Sequence, residues 1–243
     1  MVKPLLAPFK NLVHRAGRVY VDRLTHDEAD LKRSRADNER PVEYSFALRQ
    51  LSLARPRPVK VLDVGTGRSS WPHLLHTSGF ETTAIDNVTD YWPSDMMNRH
   101  WPVLDVDITK GQGFKDTFDA ITCISVLEHI HAFDDAMRNM AARIRPGGLL
   151  ILTCPFSARE PHDPDVCARP DANRPKTHGY VCQSFNASDL EGWKSLGLNL
   201  RASEYWNMWT GPVFRAGQQA PWRMVSETEP HHLGCFAFER ASA

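Results

Sequence analysis

No stretch of this 243-residue chain is apolar for long enough to span a bilayer. Nor do its first residues carry the apolar core of a secretory leader, since Leu5-Leu6-Ala7 is interrupted at Pro8 and again at Lys10. A soluble, cytoplasmic protein is therefore expected. Cysteine is scarce: Cys123, Cys154, Cys167, Cys182 and Cys235 are odd in number and include no C-x-x-C pair. That argues against a disulfide framework and leaves buried free thiols in a reducing compartment as the expectation. Excess charge is missing too. The 29 basic residues match 29 acidic ones, so no global field points to nucleic acid. Internal repeats and low-complexity tracts are absent. What remains is a hydrophobic content of 42%, enough for one globular domain with a real core and an extra segment.

The charge balance is uneven along the chain, with twelve Lys/Arg against seven Asp/Glu in residues 1–58. Within residues 1–24, Leu5, Leu6, Phe9, Leu12, Val13, Ala16, Val19 and Tyr20 recur at helical spacing. Lys3, Lys10, Arg15, Arg18 and Arg23 lie between them. This basic amphipathic helix reads either as part of a lid or as a peripheral contact for a membrane surface or a partner. Residues 27–40 are strongly charged and read as a solvated segment. A second helical pattern in Tyr44, Phe46, Ala47, Leu48 and Leu51 stops at Pro56-Arg57-Pro58. Residues 1–58 are thus expected to form an N-terminal helical extension, and residues 59–243 the main domain.

From Val59 the texture changes. Val59 to Val64 is a short β-branched run that ends at Gly65-Thr66-Gly67 and reads as a buried parallel strand. Pro72 suits a first helical turn, Gly79 a helix end, and Thr82 to Asp86 a second strand, which completes a βαβ unit. Further strands are expected at 102–106, 118–124, 149–154, 198–202 and 234–238. Helices are expected at 134–144 and after a Ser188 cap. This alternation predicts an α/β fold: a doubly wound, mainly parallel, seven-stranded sheet with helices on both faces and an antiparallel last strand.

A glycine turn after a first strand lets backbone approach a ligand, and the next helix aims free N–H groups at it. Asp86 ends the second strand, where a carboxylate can accept from both hydroxyls of an adenosine ribose. Dinucleotide enzymes use a related device, so the turn by itself leaves the cofactor open.

The order of motifs resembles that of class I S-adenosylmethionine-dependent methyltransferases, which are Rossmann-like. Val61-Leu62-Asp63-Val64-Gly65-Thr66-Gly67 is similar to the family's first motif, and Ala84-Ile85-Asp86 to its ribose-binding strand end. Asp105-Val106-Asp107-Ile108-Thr109 resembles the adenine segment. Phe118 to Ile121 and Val126 to Ile130 resemble the fourth-strand motif, and Arg145 to Leu150 the turn into the fifth strand. The resemblance covers about residues 59–240. It implies S-adenosyl-L-methionine as cofactor, with Asp63, Gly65 and Gly67 against its methionine part. Asp86 would take the ribose, Asp107 and Ile108 the adenine, and Ser125 and Val126 the region near the sulfonium. Ser69 stands where many members have a third glycine. The Arg40–Leu48 stretch resembles a helix that closes over the cofactor, in which Tyr44 either touches it or simply packs on the sheet.

Methyl transfer to oxygen benefits from a base. His129, beyond the fourth strand, and His178, in the following loop, are the catalytic candidates, each with a structural role as its alternative. Tyr180, Trp206 and Trp209 are candidates for the acceptor pocket, with core packing as the alternative for the tryptophans. His162, Asp163, Asp165 and Cys167 crowd one long polar loop, but their spacing fits no standard zinc pattern, and no metal is expected. The Asn/Asp-Pro-Pro-aromatic turn of nucleobase amino-methylating enzymes is replaced by Ile124-Ser125-Val126-Leu127-Glu128. A small-molecule, sugar or lipid-linked acceptor is expected, methylated on oxygen, with N-methylation and a non-catalytic regulatory subunit as alternatives. A nicotinamide-dependent oxidoreductase is disfavoured by the Asp107 and Leu127-Glu128-His129 segments.

Overall fold

A computed structural model describes residues 6–33, 38–94, 96–111, 116–164, 181–212, 214 and 217–242. The chain divides into two compact units, Met1–Pro41 and Val42–Ala243. In the first, helix α1 spans Leu6–Arg33. No described helix is long and apolar enough to cross a membrane.

The second unit is built on a sheet of order β3-β2-β1-β4-β5-β8-β6-β7. Its strands are β1 (Lys60–Val64), β2 (Glu81–Asp86), β3 (Leu104–Asp105), β4 (Phe118–Ile124), β5 (Ile144–Pro155), β6 (Leu198–Trp209), β7 (Gln219–Val225) and β8 (Leu233–Arg240). Strands β1 to β5 pair in parallel, whereas β8 lies antiparallel between β5 and β6. The helices are α2 (Arg40–Leu53), α3 (Trp71–Thr77), α4 (Val88–Tyr91), α5 (Phe133–Arg143) and α6 (Ala187–Lys194).

Alternation along each strand sends successive side chains to opposite faces. Leu62, Ile121, Leu150, Leu152, Phe236 and Phe238 pack on one face, against Met137 and Met140 of α5 and Leu190 and Trp193 of α6. Val61, Ala120, Leu149, Ile151 and Cys235 face the other way, against Phe46, Ala47 and Leu51 of α2 and Trp71 and Leu75 of α3. Each large apolar side chain so buried contributes about 1.5–3 kcal/mol. Cys123, Cys154, Cys182 and Cys235 are buried. Burial pushes the thiols of Cys123, Cys154 and Cys235 well above the usual range, which makes them inert core residues.

The doubly wound α/β architecture and the antiparallel last strand agree with the expectation, but the described residues form eight strands instead of seven, and the last strand in sequence is internal to the sheet. The unforeseen strand, β7, is half-exposed and carries Pro221. It is tolerated because it pairs with β6 alone, at the sheet's edge. Its partner β6 continues to Trp209, well past the expected Ala202. The third strand shrinks to Leu104–Asp105. The last helix is capped by Asn186, not Ser188: the Asn186 side chain accepts from the amides of Ser188 and Asp189, while the Asp189 carboxylate accepts from the Asn186 amide.

Two adjacent histidines lock the approach to β8. His231 accepts from the Ala158 amide (3.0 Å) through Nε2 and donates to the Glu229 carbonyl (2.7 Å) through Nδ1. His232 accepts from the amides of Met208 (3.0 Å) and Trp209 (3.3 Å) through Nδ1 and donates to the Gly211 carbonyl (2.8 Å) through Nε2. Burial lowers both rings below the usual imidazole value, which matches the neutral tautomers that these bonds require.

Candidate active site

The strand order reverses between β1 and β4, and the carboxyl ends of strands at such a reversal form the natural crevice of an open α/β sheet. Five backbone and side-chain features meet there.

The loop after β1 is the first. Gly65 adopts φ +75° and Gly67 φ +54°. A Cβ built on Gly65 would lie 2.2 Å from Val126 Cγ1, so glycine is what lets the loop pass Val126. The amides of Gly65 (2.9 Å) and Thr66 (3.3 Å) donate to the Ile85 carbonyl, which ties the loop to β2. Asn98 donates through Nδ2 to the carbonyls of both Gly67 and Ser69, at 2.9 Å each. Its Oδ1 accepts from the His100 and Trp101 amides, at 2.9 Å each.

The second feature is Asp86, at the tip of β2. Its Oδ2 accepts from the Gly67 amide at 2.7 Å. Burial raises this carboxyl above its ordinary value, and hydrogen bonds from Gly67 and Trp92 oppose that rise without cancelling it. Asp63 lies deeper. Its Oδ2 accepts from Thr66 Oγ1 (2.6 Å) and its Oδ1 from Thr122 Oγ1 (2.9 Å), whose oxygen in turn accepts from the Trp71 indole (3.1 Å).

Third, Asp107 caps a 3-10 turn at Ile108–Lys110, where Ile108 is buried. Asp107 Oδ1 accepts from the Thr109 amide (2.9 Å) and hydroxyl (2.6 Å), and Oδ2 lies 3.2 Å from Lys110 Nζ. Burial would raise the Asp107 carboxyl, but the Thr109 and Lys110 interactions outweigh it and hold it below the ordinary value. Next to it, Asp105 caps α4 through the Val88 amide (2.8 Å), the Thr89 amide (3.2 Å) and the Thr89 hydroxyl.

Fourth, Ser125 sits in left-handed backbone at φ +48°, a conformation that costs a non-glycine residue about 1–2 kcal/mol. Its hydroxyl donates to Glu43 Oε1, an oxygen that also accepts from Thr153 Oγ1 at 2.7 Å. Glu43 is completely buried at the start of α2. Strained backbone held by a buried carboxylate at a strand end is characteristic of functional sites.

Fifth, His129 closes a 3-10 turn at Leu127–His129. Its Nδ1 lies 2.7 Å from the Val181 carbonyl and therefore carries the proton, so the neutral ring presents Nε2 as its basic atom. Nε2 lies 3.8 Å from Glu128 Oε1.

These features bring together Asp63, Gly65, Gly67, Asp86, Asp107, Ile108, Ser125, Val126 and His129 around the carboxyl ends of the strands. Tyr44 stacks on Trp71, with ring centroids 4.5 Å apart. Trp209 is buried edge-on against Phe214 (4.6 Å). Trp206 is half-buried, with its indole 3.3 Å from Glu204 Oε2. His178 and Tyr180 lie outside the described residues. Sequence reasoning missed Glu43, Asn98 and Thr153. Among the described residues no group of three or more His, Cys, Asp or Glu is placed to hold a metal.

The fit to S-adenosylmethionine is a matter of space and donors. At Gly65 a Cβ would fill the gap beside Val126, and at the tip of β2 the half-buried Asp86 carboxylate, which accepts from Gly67, Trp92 and Asn87, keeps acceptor capacity for a hydroxyl donor.

A sequence profile of the family described as "Methyltransferase domain" matches residues 36–209. The ubiquinone biosynthesis O-methyltransferase of Coxiella burnetii is 28% identical over 120 residues, 46% of this chain and 49% of that protein. The chain spans about half the length of the curated relatives it matches. Among solved structures, the 1,6-didemethyltoxoflavin-N1-methyltransferase of Burkholderia thailandensis, with bound 1,6-didemethyltoxoflavin and S-adenosylhomocysteine, superposes with a TM-score of 0.56 at 17% identity. It covers 100% of this chain and 94% of that one. The N-methyltransferase NodS of Bradyrhizobium japonicum WM9 gives 0.51 at 19% identity, over 84% and 97% of the two chains. At these identities the two structures speak for the fold.

Proposed function

This chain belongs to the methyltransferase-domain family, and from that premise we propose that it methylates a small-molecule acceptor, on oxygen, with S-adenosyl-L-methionine as the methyl donor. The observation that carries the reading is the tip of β2, where the Asp86 carboxylate and the Gly67 amide are bonded across the glycine loop (2.7 Å).

When bound, S-adenosylmethionine supplies an electrophilic methyl group on a sulfonium. Asp86 would hold its ribose. Asp107 and Ile108 would flank the adenine. Gly65 and Gly67, braced from beneath by Asp63, would pass against the methionine part, with Ser125 and Val126 near the sulfonium. Tyr44, stacked on Trp71, would close this side. Alignment of nucleophile and electrophile is the largest contribution asked of the protein, about 7–11 kcal/mol in favourable cases. His129 Nε2 would take the proton from an acceptor hydroxyl, an assistance of about 10²–10⁴-fold. The nearby Glu128 carboxylate would favour the resulting imidazolium. A base with a fixed tautomer is the reason to prefer oxygen over nitrogen, since a neutral amine needs no deprotonation before attack. His178, Tyr180 and Trp206 are assigned to the acceptor side of the site, whereas Trp209 packs in the core against Phe214 and His232.

Asp86→Ala is expected to weaken S-adenosylhomocysteine binding at least about tenfold, equivalent to ~1.4 kcal/mol. Ribose hydroxyls donate to the ionised carboxylate, so ligand binding favours the deprotonated form. Wild-type affinity is therefore full above the Asp86 value and declines as pH falls through it. Because burial raises that value, the decline begins at a higher pH than an ordinary aspartate would dictate, and Asp86→Asn flattens it. Calorimetry across pH reads both effects. Unchanged affinity in folded Asp86→Ala would remove the ribose assignment. Transfer of a labelled methyl group to amines but not to hydroxyl compounds would move the reaction to nitrogen.

Helix α1 is assigned a second role, as a contact with an anionic membrane surface. Leu12 and Val19, 64% and 68% exposed, share one arc with Val13 and Tyr20, also exposed. Lys10, Arg15 and Arg18 occupy the opposite arc, all exposed. A cationic helix with an uncovered apolar stripe suits the interface of acidic lipids. The protein is expected to pellet with vesicles containing phosphatidylglycerol and not with pure phosphatidylcholine. Leu12→Asp/Val19→Asp should remain in the supernatant. A wild-type protein that ignores both vesicles would end this assignment.

A further inference from the structure

Three atoms of the turn that carries His129 are held by one short segment. The Gln183 amide donates to the Glu128 carbonyl (2.9 Å), the Gln183 side-chain Nε2 donates to the Ile130 carbonyl (2.8 Å), and the Val181 carbonyl accepts from His129 Nδ1 (2.7 Å). The turn is thus gripped on the residue before His129, on the residue after it, and on the ring itself.

The grip has its own support. Donation from Nε2 to Ile130 turns Gln183 Oε1 the other way, where it lies 3.2 Å from His162 Nε2. His162 Nδ1 in turn lies 3.0 Å from Asp189 Oδ2. The imidazole stacks on Phe133, with centroids 5.5 Å apart, and meets Phe185 edge-on (5.4 Å). Asp189 is fixed by the capping box of α6, and Asp163 and Ser184 exchange two backbone bonds beside it (3.0 and 2.8 Å). Gln183 is buried, so an amide with an unmet donor or acceptor there is destabilising. Its orientation is therefore set by its two neighbours, the His162 ring and the Ile130 carbonyl.

From this chain of bonds we infer that His162 and Gln183 are positioning residues for His129: they hold the Val181 carbonyl and the His129 turn in register, and so keep the proton on Nδ1 and the lone pair on Nε2. The catalytic value of that arrangement rests on the function proposed above, but the arrangement itself does not. A histidine ligand or base whose second nitrogen is bonded to a fixed acceptor has its tautomer and ring orientation set by that acceptor.

The test is nitrogen NMR of the full-length protein labelled at histidine, followed across the imidazole range because His162 faces an oxygen acceptor on each nitrogen and makes both bonds only with both protons, with S-adenosylhomocysteine binding measured in parallel. Wild-type His129 is expected to show one protonated Nδ1 and one unprotonated Nε2. His162→Ala and Gln183→Met, the second nearly isosteric, are expected to lose this single-tautomer pattern, with both nitrogens moving toward averaged shifts while S-adenosylhomocysteine affinity stays at the wild-type value. His162→Gln, which can still donate to Gln183 Oε1, is expected to recover most of the pattern. Wild-type shifts for His129 in both folded variants would overturn the inference. So would failure of both variants to fold, because the bracket would then be a structural element. A protein that binds no S-adenosylhomocysteine yet shows the linked tautomer would lose the proposed function and keep the positioning roles.

Discussion

A Gly65→Ala chain is expected to lose about 2–5 kcal/mol of stability and all measurable affinity for S-adenosylmethionine. Two costs add. A side chain at φ +75° pays the left-handed penalty of about 1–2 kcal/mol. The new methyl group would also lie 2.2, 2.5 and 2.8 Å from Val126 Cγ1, Cγ2 and Cβ, an overpacking that costs about 1–3 kcal/mol when neighbours must move. The neighbours have little freedom. Val126 packs against the core under the turn that leads to His129, and the loop is pinned by Ile85, Asp86 and Asn98. Relief must come from moving the loop outward, into the space assigned to the cofactor. The double variant Gly65→Ala/Val126→Ala separates the two costs. It removes both Cγ atoms and leaves the 2.8 Å approach to Cβ, so it is expected to recover part of the overpacking cost, while the backbone penalty stays. Urea midpoints read the stability and calorimetry reads the binding. A Gly65→Ala protein as stable as wild type, with its affinity intact, would show that the glycine is incidental.

Much of this loop was legible in the sequence because its determinants are local. Glycines at 65 and 67 and an aspartate ending the next strand lie within one βαβ unit, and a resemblance read from adjacent residues carries such a feature directly. The same holds for the two-sided core, since Val61-Leu62 and Leu149 to Leu152 announce a strand buried on both faces. What the sequence concealed depends on long separations or weak patterns. Strand β7 is short, half-exposed and interrupted by Pro221, and its pairing with Tyr205, Trp206, Asn207 and Trp209 of β6 makes it a strand. Asn98 resembles any turn asparagine until its amide is seen to bridge two carbonyls of the glycine loop. The tryptophans at 206 and 209 cannot be assigned to pocket or core from spacing alone, and Trp209 is a core residue packed on Phe214 and His232. Asp63 carries the same lesson in reverse. Its motif position implies a ligand contact, while both its oxygens already accept from threonine hydroxyls.

Glu43 shows the limit most clearly, and it carries the other large expected effect. Helical spacing marks Phe46, Ala47 and Leu51 as the buried face of α2, yet nothing local explains a carboxylate beside them. The explanation lies 82 and 110 residues away, in the hydroxyls of Ser125 and Thr153. A hydrogen bond to a buried carboxylate contributes about 1.5–3 kcal/mol, so Glu43→Ala is expected to destabilise the protein by roughly 3–6 kcal/mol. Glu43→Gln should cost less, because its amide oxygen can still accept. The effect on the site should exceed that of a packing defect. With its hydroxyl unpartnered, Ser125 loses the bond that offsets its left-handed backbone, and the end of β4 that presents Val126 and His129 relaxes. A double-mutant cycle with Thr153→Val isolates the link. Coupling of about 0.5–3 kcal/mol is expected, because each substitution alone already removes the bond between the two side chains. Urea denaturation of the four proteins measures it, and S-adenosylhomocysteine calorimetry on Glu43→Gln reads the consequence for the crevice. Strictly additive stabilities, with ligand affinity unmoved, would mean that the buried carboxylate ties α2 to nothing the cofactor requires.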